Sequence, residues 1–214
     1  MAIKILKSTA GHVANILLEI GCIKVNTKKP YQWASGWKSP IYCDGRLSLS
    51  YPDFRSDITG YLVGAVKANF RGCEAVAGVA TAGIPQGVLL ASELKLPFLY
   101  VRPTPKAHGT KNLVEGKITA SQSILLVEDL ISSGGSSINA VKVLRQAGAK
   151  VSGVVAIFSY GLEIATNNFE KEGVDLVCLT DFNHLLKEAE TKNSFTEKEL
   201  VALKSWWIDP ANWK

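Results

Sequence analysis

Five short apolar runs, at residues 75–79, 98–101, 123–127, 153–158 and 175–179, alternate with longer amphipathic segments. Runs of this length match strands, and connections long enough to hold a helix let successive strands lie parallel. The expectation is an α/β fold, a parallel sheet flanked by helices. Upstream, apolar positions at helical spacing (Val13, Ala14, Ile16, Leu17, Ile20) follow the cap candidates Ser8 and Thr9. They predict an N-terminal helix ending near Gly21, and a second helix is predicted to start after Pro52 and run to about Phe70. Residues 102–116 hold two prolines, His108 and two lysines without the period of helix or strand, which predicts a long mobile loop. Helical character returns at 197–205, and the chain then carries Trp206, Trp207 and Trp213. Aromatic surface of that size is expected to dock, on the body of the protein or on a second subunit.

A length of 214 residues with 47% hydrophobic composition suits one domain with a substantial core, so residues 1–214 are expected to form a single unit. No apolar stretch approaches the ~20 residues of a bilayer span, so no membrane helix is expected. The N-terminal residues lack the apolar core of a signal peptide, which predicts a cytoplasmic address. Cys22, Cys43, Cys73 and Cys178 are far apart and show no metal-ligand spacing, so they are expected to be reduced and structural. The formal charge of +5 comes from dispersed lysines without interleaved aromatics. That balance favours small anionic substrates over nucleic acid.

The most informative segment carries the run at 123–127 into Glu128-Asp129-Leu130-Ile131-Ser132-Ser133-Gly134-Gly135-Ser136-Ser137, followed by a predicted helix over 138–146. In an open parallel sheet, ligands sit at the carboxyl ends of strands, where this segment turns. Gly134 and Gly135 allow backbone amides to approach an anion, the serines add hydroxyl donors, and the helix adds its positive end. A phosphate monoester fits this arrangement. Ionised, Glu128 and Asp129 accept hydrogen bonds from paired ribose hydroxyls and place negative charge beneath a sugar. Such charge favours an oxocarbenium-like transition state at the anomeric carbon. A serine-rich turn alone is more often a helix cap; strand, two acids, glycine turn and helix in succession point to phosphate. Neither Gly-x-x-x-x-Gly-Lys-[Ser/Thr] nor Gly-x-Gly-x-x-Gly is present there, which argues against an ordinary kinase or dehydrogenase.

This segment resembles the phosphoribosyl pyrophosphate signature of the type I phosphoribosyltransferases. Two others, Trp33-Ala34-Ser35-Gly36-Trp37-Lys38-Ser39-Pro40-Ile41-Tyr42-Cys43-Asp44-Gly45-Arg46 and Arg102-Pro103-Thr104-Pro105-Lys106-Ala107-His108-Gly109-Thr110-Lys111-Asn112-Leu113-Val114-Glu115-Gly116, are similar to the base-side segment and the catalytic loop of orotate phosphoribosyltransferases. The resemblance implies a core over about 70–180, a small hood from about 1–50, and a flexible loop in which Lys106 and His108, with Arg102 beside them, act on the departing pyrophosphate. It implies donor contacts at 128–137 and at the turn Val79-Ala80-Thr81-Ala82-Gly83, with Thr81 and Ala82 facing the diphosphate. It implies orotate contacts from Lys38, Ser39, Tyr42, Arg46 and Ser132. It also implies a homodimer sharing its loops, and magnesium held through the diphosphate without a protein metal site.

Where some members carry lysines, this chain has Ala34, Ala82 and Pro103. An arginine that helps hold the orotate carboxylate in other members is replaced near Ser159 and Tyr160, leaving Arg46, Lys38 or backbone amides for that role. Two alternatives stand beside orotate transfer: a phosphoribosyltransferase for another base, and a regulator that senses the donor and binds nucleic acid. The length leaves no room for a fused decarboxylase barrel.

Overall fold

The computed structural model describes residues 3–33, 36–104 and 113–213. Its centre is a seven-stranded sheet in the order β1-β11-β10-β9-β6-β7-β8. The strands are β1 (Lys4–Ile5), β6 (Ala75–Val79), β7 (Phe98–Val101), β8 (Val114–Glu115), β9 (Ser123–Ile131), β10 (Lys150–Ser159) and β11 (Leu176–Asp181). All pairings are parallel except β7 with β8. The five predicted strands are present. β8 is an addition: the last part of the predicted loop returns along β7, with Val101 opposite Val114.

Both faces of the sheet are covered, and residues of alternate parity divide between them. Leu125, Val127, Val155, Ile157 and Leu179 pack with Ile16, Leu17, Ile58, Leu62 and Leu90 from α1 (Lys7–Glu19), α2 (Pro52–Asn69) and α3 (Gly83–Leu94). Ile124, Leu126, Val154, Ala156 and Cys178 pack with Val141, Leu144, Ala165 and Phe169 from α4 (Gly135–Gln146) and α5 (Glu163–Glu172). Helices α6 (Phe182–Thr191) and α7 (Glu197–Ile208) complete the first face. A capping box between Thr196 and Glu199 starts α7.

Helix α1 begins earlier than its cap candidates implied. Leu6 occupies the cap without a side-chain bond, and Thr9 sits in the first turn with its hydroxyl donating to the Leu6 carbonyl at 3.1 Å. Strand β1 joins the main sheet beside β11, and α1 packs on β11 and α6. Within the region expected to form a hood, β2 (Ile23–Val25) pairs with β5 (Ile41–Cys43). A second small pair, β3 (Tyr31–Gln32) with β4 (Lys38–Ser39), and a 3-10 helix at Gly45–Ser50 complete it. The terminal tryptophans dock on the body: Trp206 is fully buried, and Trp207 and Trp213 pack against the same core.

The chain leaves β6 toward β7 on one side and later fills β9 on the other, so a crevice opens at the carboxyl ends of β6 and β9. Helix α3 starts in that crevice because Gly83 lies against the Val127 carbonyl, where a Cβ would collide with the oxygen. We expect Gly83→Ala to destabilise the protein by about 1–3 kcal/mol through this overlap, read as a lower urea midpoint with an unchanged m-value.

Candidate active site

Strand β9 extends four residues past the predicted run, so Glu128, Asp129, Leu130 and Ile131 are strand residues paired with β10. Neighbouring strand residues point to opposite faces, and the acid pair is accordingly split. Glu128 is 5% exposed on the α4 side, where its Oε1 accepts from the Ser136 hydroxyl at 3.1 Å and the Ser137 hydroxyl at 3.3 Å. Burial, reinforced by the charge of Asp129, raises its pKa to about 8. Asp129 faces the hood: a Cβ on Gly45 would lie 3.3 Å from its Oδ2. Burial raises its pKa too, and the nearby Arg46 charge opposes the rise.

The hydroxyls of Ser136 and Ser137, expected to serve phosphate, are therefore engaged by Glu128. What α4 presents outward is its first-turn amides, which have no partner within the helix. Gly134 caps this helix in the left-handed region at φ 76, and the Phe169 ring presses against it so closely that a Cβ would lie 2.7 Å from Cε2. The Ser133 carbonyl accepts from the Asn168 side chain at 2.9 Å. Asn168 and Phe169 thus pin the turn from α5. Neither drew notice in the sequence, because an asparagine and an aromatic on an amphipathic helix look like ordinary surface and core positions.

Beside the turn lies a cavity of about 240 Å³ lined by Val79, Ala80, Val101, Arg102, Pro103, Ser136, Asn139 and Ala140. Thr81 and Ala82 follow Ala80 into α3. The Ala80–Thr81 peptide bond is cis. Arg102 reaches this cavity from the end of β7 and also pairs with Glu115 at 3.2 Å. Ala34 and the expected loop residues Lys106 and His108 lie outside the described residues.

On the hood side, Arg46 clamps Asp44 through Nε at 2.6 Å and Nη2 at 2.9 Å, and a second bond joins Nη2 to the Tyr42 hydroxyl at 3.3 Å. The pair holds the Asp44 carboxyl below its usual range. Arg46 and Tyr42 are thus together, and the Arg46 charge acts on Asp129. Lys38 is exposed at the side chain, while its carbonyl accepts from Trp206 Nε1 at 3.0 Å. Ser39 is fully buried, and its hydroxyl donates to the Ile41 carbonyl at 2.8 Å and accepts from the Ile41 amide. That hydroxyl, expected to meet orotate, is spent on the hood's own backbone. Ser132 stands half-buried at the start of the turn. Among the described residues no group of three or more His, Cys, Asp or Glu could hold a metal. The four cysteines are unpaired, and no described helix is long and apolar enough to cross a membrane.

A parallel sheet with an acid pair and an anion-ready helix end at its switch point is the layout of a phosphoribosyltransferase, and a family model described as "Phosphoribosyl transferase domain" matches residues 53–184. The orotate phosphoribosyltransferase of Cytophaga hutchinsonii is 48% identical over 94% of this chain and 97% of its own. The crystal structure of orotate phosphoribosyltransferase from Aeropyrum pernix superposes with a TM-score of 0.72 at 27% identity, covering 83% of this chain and 99% of that one. Leishmania donovani UMP synthase shares the fold at a TM-score of 0.80 and 22% identity, over 92% of this chain and 42% of that longer one. This chain belongs to the orotate phosphoribosyltransferase family.

The buried Glu128 makes ligand-free stability depend on pH. Its pKa is near 4.5 unfolded and about 8 folded, so the native state holds the extra proton between these values and stability falls as pH rises through that window. Thermal unfolding should show the loss, on the order of a few kcal/mol between pH 5 and pH 8. Glu128→Gln should flatten the profile, and an equally steep decline in that variant would assign the effect elsewhere.

Proposed function

We propose that this chain transfers the phosphoribosyl group of phosphoribosyl pyrophosphate to orotate, giving orotidine 5'-phosphate and pyrophosphate, a step of pyrimidine biosynthesis. What supports the reading is that β9 ends between the first turn of α4, which meets Glu128, and the hood, where Gly45 packs on Asp129 and the Arg46 charge acts on it.

In this reading the first-turn amides of α4, with Ser132 and Ser133 beside them, grip the ribose phosphate. Glu128 and Asp129 bracket the ribose from the two faces of β9. Positive charge developing at the anomeric carbon favours the ionised form of Glu128, which burial alone opposes. The diphosphate occupies the cavity between Ala80 and Asn139, beside Thr81 and Ala82, with Arg102 at its wall. Magnesium, when bound, neutralises charge on the diphosphate. It is held mainly by substrate oxygens and water, as magnesium on a diphosphate commonly is. Arg46 is the cation assigned to the orotate carboxylate, because it is bonded to Tyr42 and its charge acts on Asp129. The ring nitrogen of orotate attacks the face opposite the departing pyrophosphate, with inversion. Proximity and charge stabilisation supply the rate.

Lys106 and His108 close over the diphosphate from the segment between β7 and β8, in the site of a neighbouring subunit. The proposed assembly is therefore a homodimer. The working unit is the whole chain, with the hood over the core of residues 70–180. Four unpaired thiols suit a cytoplasmic setting.

The decisive assay incubates the protein with orotate, donor and magnesium, and follows loss of orotate absorbance and pyrophosphate release. Turnover of orotate without turnover of adenine, guanine or uracil is expected; preference for a purine, or salt-sensitive RNA binding without turnover, overturns the reading. Lys106→Ala should lower kcat about 100-fold or more while donor KM changes little, since leaving-group charge exists mainly in the transition state. Equal losses in kcat/KM and in donor affinity would make Lys106 a ground-state ligand.

A further inference from the structure

Tyr160 directly follows β10, where the family resemblance leads one to look for a cation, and it is 1% exposed. Its polar atoms are all engaged by other parts of the chain. They join three elements around the proposed base site. Its amide donates to the carbonyl of Ile131, the last residue of β9 before the phosphate turn, at 3.0 Å. Its hydroxyl accepts from the Cys43 amide of β5 at 3.2 Å. Its carbonyl accepts from Trp207 Nε1 of α7 at 2.7 Å. Around its ring stand Trp33 at 4.7 Å, Phe158 at 5.1 Å and Trp206 at 5.6 Å between centroids. Trp206 in turn donates to the Lys38 carbonyl of β4.

These bonds matter because the hood is weak alone. Each of its sheets has two strands of two or three residues, and a two-stranded ribbon is marginally stable without an outside support. The Cys43 amide is on a buried residue, and the phenol oxygen is the partner that satisfies it. Burial keeps the phenol well above its ordinary pKa, so it stays neutral beside the Asp129 charge. Tyr42 and Arg46 are carried on the main chain that this contact holds.

We propose that Tyr160, clamped by the α7 tryptophans, is a positioning residue for the base: it fixes the strand bearing Tyr42 at a set distance from the phosphate turn. The proposal rests on the base-side reading above and adds to it a tether that never touches orotate. It assigns the terminal tryptophans to the substrate site of their own subunit.

The test is steady-state kinetics on the full chain. Tyr160→Phe keeps the ring and removes the acceptor; it should raise the orotate KM roughly tenfold and leave the donor KM within about twofold. Trp206→Phe, which removes the Lys38 bond, should shift the orotate KM in the same direction and carries the test if the first variant does not fold. An unchanged orotate KM, or equal rises for both substrates, overturns the tether and marks Tyr160 as plain core. Failure of the wild-type chain to use orotate overturns the base-side reading itself, a result separable from either variant's behaviour.

Discussion

A carboxylate sunk in the end of a central strand governs the architecture of this site. Glu128 has left water almost completely, and a buried acid has to be paired with donors or keep its proton. The donors come from the first turn of α4, so the helix must start directly beneath the strand end. That requirement dictates a tight turn, met by Gly134 in the left-handed region and braced by Asn168 and Phe169. The same requirement aims the open amides of α4 into the crevice. The anion site and the buried acid are thus consequences of one packing arrangement.

The opposite face of β9 obeys a different logic. Asp129 looks toward the hood, whose strands are too short to hold their own position, and the aromatic cluster around Tyr160 and Trp206 supplies the support. One strand end therefore joins a core-backed region beside α4 to the lighter hood. Under the proposed function, discrimination between bases falls to the lighter half, as expected for a fold that hosts different specificities.

Several local features were legible in the chain. The five core strands follow from apolar runs that stay apolar because both sheet faces are covered, and α2 follows from Pro52 and the helical period behind it. The turn from β9 into α4 was legible because glycines between a buried run and a helical period mark a strand-to-helix turn. The start of α1 was misplaced because packing of Leu6 and Thr9 on β11 overrode the local capping preference of serine and threonine. β8 escaped notice because a two-residue strand carries no period at all.

The sequence by itself determined the fold class, the glycine turn into α4 and the family, because periodicity, turn chemistry and motif order are properties of neighbours along the chain. Tertiary structure alone decided that Glu128 and Asp129 serve opposite faces, that Ser39 is occupied within the hood, and that Tyr160 and Trp206 reach segments more than a hundred residues away. Such contacts depend on which distant backbone groups are left unpaired and buried, a quantity that exists only once the strands have been assembled.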